Sequence, residues 1–311
     1  FRLGGHMQTN IKPYGAEVSR QERELRHLRT IFWLCYIFDQ DTALRTGQPP
    51  IMCQEYCDLT LPDGYLENCF CRPALSNGIL SPSFADESLF PYLPGDLRLG
   101  QLKGKTYRQL YSAQALGKSD AELLHDIRDL DSEIETWRLS IPLKFRPALS
   151  VSRHPQFAPE TKLPQNMQHI VLHLEYHHLM ATIHQASGRC CPASRSTLYY
   201  LQVAIDGLAG EAFWIIVFYP TASMIALFFN VLQNPHDMQA KLDLELLRSA
   251  ADLIRRMPIR RLTEYEIEHF KMVDDFVVEL IRLGICAISK ANGEEERDVE
   301  TQVPHKHELE I

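Results

Sequence analysis

No stretch of this chain alternates Val, Ile and Thr with polar residues, which is the period-2 pattern a half-buried strand needs. The sequence also has no GxxxxGK[ST] loop, no GxGxxG turn and no GxSxG elbow. The phosphate cradles and exposed serine nucleophiles of the commonest enzyme classes are therefore missing. A basic stripe is lacking too. The formal net charge is −8, and the densest basic runs, Arg20 to Arg29 and Arg255 to Arg261, are short. The first is broken by Glu22 and Glu24, so both read as solvated helix faces or ends, and direct nucleic-acid binding by this segment is disfavoured. The eight cysteines (Cys35, Cys53, Cys57, Cys69, Cys71, Cys190, Cys191 and Cys286) follow no regular spacing, and no signal peptide precedes them. Free thiols in a reducing compartment are the simplest reading. The chain opens on Phe1 rather than Met, and the expectation is a piece of a longer protein.

What the chain does contain is helix signal, and the fold expected is all-α: an irregular multi-helix array with long Pro/Gly-rich connectors. Ser19 and Glu22 form a capping box, after which Leu25, Leu28, Phe32, Cys35 and Phe38 recur at helical spacing. Gly47-Gln48-Pro49-Pro50 stops that helix, because proline lacks the amide donor. Residues 47–101 read as a long irregular excursion. Ser119 and Glu122 form a second box, followed by Leu123, Ile127, Leu130, Ile134 and Trp137 on one face up to Pro142. Residues 140–165 form another connector. Further helices are expected over about 166–186, 192–208, 211–233 and 238–256. A third box at Thr263 and Glu266 opens a last helix ending near Ile288. The domain is drawn over 1–288, and the charged stretch 289–311 reads as a disordered tail.

Four features could carry chemistry. The run from Ala212 to Gln233 has no charged residue, long enough for a membrane span. Pro220, Ser223 and Asn230 interrupt it, and its nearest charges, Glu211 and Asp237, are acidic, so a helix buried all round is preferred. His169, His173 and His177 share a helical face with Glu175, His178 and His184 nearby, but the HExxH order of a zinc hydrolase is absent. They are read as surface or partly buried histidines. Cys53 and Cys57 with Cys69 and Cys71 match no usual zinc spacing and are read as half-buried thiols. Asp274, Asp275 and Glu279, and more faintly Asp39 and Asp41, suggest the carboxylates with which all-helical cyclases hold magnesium. Neither motif is complete, so helix-surface acids are preferred. No catalytic residue, metal site or cofactor is assigned to the segment.

One phrase is more specific. Phe1-Arg2-Leu3-Gly4-Gly5-His6 precedes Ser19 to Arg26. Ile31-Phe32-Trp33-Leu34-Cys35-Tyr36-Ile37-Phe38-Asp39 follows, then Gly47-Gln48-Pro49-Pro50-Ile51 and Cys57-Asp58-Leu59-Thr60-Leu61-Pro62. In order and spacing this closely resembles the central homology region of fungal zinc-cluster transcription factors. Leu174 to His184, Cys191 to Leu208 and Phe213 to Pro235 are similar to that family's later helices. The likeness covers about Phe1 to Met257. Gln40 and Gln48 stand where the family usually has Arg, and His27 and Leu28 stand near a usual Arg pair, which puts a buried Arg–Asp pairing at Asp39 in question. The family's first helices and its six-cysteine cluster lie outside the chain.

The resemblance implies the regulatory region of a nuclear transcription factor acting on RNA polymerase II genes, without enzymatic activity. DNA would be read only through the absent N-terminal zinc cluster, the one place where zinc is expected. Small-molecule effectors, transcriptional co-regulators and a second copy are the partners it implies, and no membrane. Phe213, Trp214, Phe218 and Met224, with Phe32 and Trp33 opposite, are first read as core and second as the lining of an effector pocket. The rival functions are a stand-alone small-molecule-binding helical protein and an all-α lyase or cyclase.

Overall fold

The computed structural model describes residues 19–61, 65, 95–143, 145–152, 167–188, 191–205, 213–255 and 263–302; of 26, 167–168, 214–216 and 294–302 it describes the backbone only. Among these residues there are eight α-helices and no strand. They fall into two compact units. The first runs to Pro147 and includes Thr182–Gly188; the second comprises Ala148–Ala181 and Arg189 onward.

In the first unit, α1 spans Arg20–Thr46. The Ser19 side chain accepts the Glu22 N–H at its start, and Gly47 closes it at φ 71, donating to Ala43 O. That left-handed conformation favours glycine. Helix α2, Leu97–Thr106, continues as a π-turn over Tyr107–Tyr111. The excursion expected to last to residue 101 thus stops at Asp96, whose carboxylate caps the Arg98 N–H as a good N-cap residue does. Helix α3, Asp120–Ser140, opens on the full reciprocal capping box of Ser119 and Glu122 and ends just before Pro142. It buries Ile127, Leu130, Ile134 and Trp137 on one face. Phe32, Trp33, Tyr36, Ile37, Met52, Tyr65 and Leu97 make the core beneath α1.

Helix α4, Met167–Gln185, belongs to the second unit except for its last turn, which lies in the first. Helix α5 is Cys191–Ala204, α6 Phe213–Gln233, α7 Met238–Arg255 and α8 Glu264–Gln302. Helix α6 packs against α5, α7 and α8, so its uncharged run is consumed by neighbours on several sides. Among the described residues no helix is long and apolar enough to cross a membrane. Asp243, fully buried on α7, takes a two-pronged pair from Arg195 of α5 at 2.7 and 2.8 Å. The third box forms at Thr263 and Glu266. The backbone of α8 then continues past Ile288 to Gln302, through a stretch with four glutamates, good helix formers that propagate a helix once one is running.

A candidate effector groove in the first unit

The face of α1 that carries Arg29, Trp33, Tyr36 and Gln40 recurs every three or four residues, so these side chains stand in one row. The chain returns across this row after the proline stop as an irregular segment, and α1 side chains hold its backbone. Asp39 accepts the N–H groups of Ile51 at 3.1 Å and Met52 at 2.8 Å. Gln40 Nε2 donates to Met52 O at 2.9 Å. Arg29 Nη2 donates to Asp58 O at 2.6 Å and Thr60 O at 3.0 Å. These bonds replace the ladder partners that an unpaired backbone needs when buried. The Arg29 guanidinium also lies 4.7 and 5.2 Å from the Phe32 and Trp33 ring centroids, within cation–π range. Burial lowers the Arg29 pKa, against the pull of Asp58 and Cys57. The buried arginine of this segment is therefore Arg29, and Asp39 serves backbone amides.

Helix α2 comes close to α1 where glycine allows it. A Cβ at Gly100 would sit 3.5 Å from Ile37, and one at Gly104 only 2.5 Å from Gln40 Oε1. From α2, Gln101 Nε2 donates to Leu59 O at 2.7 Å. Asp96, just before α2, is a hub: Tyr65 OH, Trp137 Nε1 and Arg98 all donate to its carboxylate at 2.6 to 3.1 Å. The charge is thus satisfied from three directions, as a buried carboxylate requires.

These clamps frame a groove of about 910 Å³. Its floor is Cys57, Asp58, Leu59 and Thr60, the segment tied to Arg29. Arg98, Gln101, Lys105 and Arg108 line it from α2 and its π-turn, and Glu133, Thr136, Trp137 and Ser140 from α3. Lys105 pairs with Glu133, and Arg108 reaches Gln54 at 3.0 Å and Glu55 at 3.4 Å. Burial pushes the Cys57 thiol up, which makes it a poor nucleophile. The arrangement suits holding a polar molecule by many moderate contacts.

The residues singled out from sequence fall in both units. Phe32 and Trp33 are buried beneath α1; Cys57 and Leu59 both pack on that cluster and line the groove. Phe213, Phe218 and Met224 lie in the second unit. Met224 is core, Phe213 stands 6.5 Å from the Phe270 ring, and Phe218 meets His178 edge-on at 5.0 Å. The side chain of Trp214 and residues Cys69 and Cys71 lie outside the described residues. Cys53 and Cys57 are free, half-buried thiols.

The histidines depart from expectation. His169, His173 and His177 are only 3%, 4% and 1% exposed, because α4 carries apolar residues around most of its circumference and offers them little solvent. The His173 ring stacks on Tyr200 at 4.6 Å and 7°, and its Nδ1 donates to His169 O at 2.9 Å. Burial, followed by the neighbouring His169, lowers its pKa to about 3. Among the described residues no group of three or more His, Cys, Asp or Glu is placed to hold a metal ion. Asp274 pairs with Arg255 at 2.6 Å, and Glu279 with Arg282 at 2.5 Å.

Comparison places the chain among proteins of one class: it is homologous to fungal transcription regulators. It is 29% identical over 262 residues to the ABC-transporter-regulating transcription factors of Aspergillus fumigatus and Aspergillus oryzae, a match over 74% of this chain and 28% of each relative. It is 22% identical over 306 residues to an uncharacterized transcriptional regulatory protein of Schizosaccharomyces pombe, covering 93% of this chain and 37% of that one. The chain thus spans well under half the length of these relatives. No family model and no solved structure matches it.

Proposed function

We propose that this chain is the regulatory region of a fungal zinc-cluster transcription factor that controls RNA polymerase II genes in the nucleus. DNA would be read by a zinc cluster elsewhere in the protein. The similarity to the two Aspergillus regulators over 262 residues carries this reading. The net charge of −8 agrees with a segment that leaves phosphate contacts to another module. The relatives' names suggest ABC-transporter genes as targets.

Within this role the groove of the first unit takes a small polar effector, and the clamped segment of residues 51–61 is the element whose packing the effector biases. A ligand shifts such an equilibrium only by its differential affinity for the two arrangements. The aromatic residues Phe213, Trp214 and Phe218 of α6, with Met224, are the second place to look. The test uses the whole gene in its host. Deleting the codons for residues 19–302 should change transcripts of the regulated genes. Thr136→Trp, which fills the groove from an exposed α3 position, should abolish the response to inducing conditions while protein level holds. Unaltered transcription after the deletion would refute the regulatory reading; an intact response in the Thr136→Trp strain would refute the groove.

A further inference from the structure

Helix α8 has one buried apolar face, with Val277, Leu280 and Ile288 packed in the second unit. Apolar residues are exposed on either side of it: Ile267, Val278 and Ile285 on one side, and a longer row on the other. Tyr265, Met272, Phe276 and Leu283 are 61%, 58%, 43% and 39% exposed, and Cys286 is exposed beside them. With His269 and Glu279 they recur at steps of four, three, four, three, four and three residues. That is the seam of a coiled coil, and it extends over about three heptads. The sequence alone hides it, because the buried face adds apolar residues between the seam positions.

We propose that α8 pairs, antiparallel, with α8 of a second copy of this chain through this seam. Charge fixes both partner and direction. A parallel pair would set Glu279 against Glu279 in the seam, with like charges opposed. The antiparallel register that sets Glu279 against Phe276 of the second copy also sets Met272 against Leu283 and His269 against Cys286. The same register brings Asp275 of one copy beside Arg282 of the other, twice by symmetry, as an isologous interface demands. Both flanking residues are exposed and on the seam's edge. Arg282 already holds Glu279 of its own helix at 2.5 and 2.8 Å, so it can neutralise the one acid within the seam while meeting Asp275 across it. The inference rests on α8 alone: a monomer would overturn it and leave the transcriptional reading standing.

The purified 311-residue chain is examined by sedimentation velocity. A dimer is expected. Met272→Glu with Phe276→Glu should give a monomer of unchanged helical circular dichroism. Arg282→Asp should raise the dissociation constant at least about tenfold, and adding Asp275→Arg should restore it. A short bismaleimide on the His269→Cys variant should join position 269 to Cys286 of the other copy, identified by peptide mass spectrometry. Within one helix those positions are about 25 Å apart, so a short linker cannot join them in the same chain. A monomer at all concentrations, a Cys286–Cys286 cross-link in the parent chain, or a charge reversal that leaves the dimer unaffected would each overturn the proposal.

Discussion

Trp137 Nε1 of α3 donates to Asp96 Oδ2 at 3.0 Å, joining the end of one helix to the cap of another. The same carboxylate receives Tyr65 OH and the Arg98 guanidinium. Removing it strands the buried Tyr65 and Trp137 donors and the half-buried Arg98 guanidinium at once, whereas removing the indole N–H takes from Oδ2 one of its two donors and leaves it Arg98 Nη2. Trp137→Phe should therefore cost about 1.5–3 kcal/mol and Asp96→Ala about 3–5 kcal/mol. Urea unfolding of each variant gives the comparison; equal losses would show that the hub does not act as a unit.

Gly104 leaves room for the Gln40 side chain, which reaches Met52 O. Gly104→Ala would place a methyl 2.5 Å from Gln40 Oε1, and the flexible amide must swing off its carbonyl. The expected loss is about 1–3 kcal/mol. In the Gln40→Ala background the same change should be nearly neutral, so a double-mutant cycle should report a clear coupling.

Asp243 and Arg195 form a pair whose carboxylate is fully buried. Asp243→Ala should destabilise by about 3–5 kcal/mol, because a cation loses its partner, while Asp243→Leu with Arg195→Met should recover most of that. Thermal or urea unfolding distinguishes the two outcomes.

His173 gives the second unit a pH dependence of known sign. Its pKa falls from 6.5 to about 3 on folding. The unfolded chain then binds the proton first as pH drops. Stability is fully present above about pH 6.5 and declines below it, with a limiting slope of about 1.4 kcal/mol per unit. Glu135, held low by Arg138, starts from 4.5 and contributes only further down. Unfolding free energy measured at about pH 7 and about pH 5 should fall less in His173→Phe than in the parent chain.

Much of the fold was legible. Helix starts at Ser19, Ser119 and Thr263 follow from local chemistry, since a hydroxyl and a glutamate three residues on satisfy the first amides. Stops at Gly47 and Pro142 are equally local. The start of α2 could have been found too, because Asp96 before Leu97-Arg98-Leu99 is an N-cap. Arg29 could not: in a helix start full of arginines, only the returning chain distinguishes the buried one. The histidines were misjudged because helical spacing reveals a shared face but not whether that face meets water. That the candidate pocket residues divide between two units was hidden for a similar reason. Phe32 and Met224 are both core residues, but of different units, and composition does not reveal where one core ends and the next begins.

The last turn of α4 completes one body while the rest of the helix belongs to the other. Tyr111 OH donates to Thr182 O there, and His184 lies 3.0 Å from Asp131. A fragment ending at Pro147 lacks both partners, and one beginning at Ala148 carries them with nothing to meet. No single scission can yield two intact halves. A protease nick or premature stop codon in this stretch therefore damages both bodies at once.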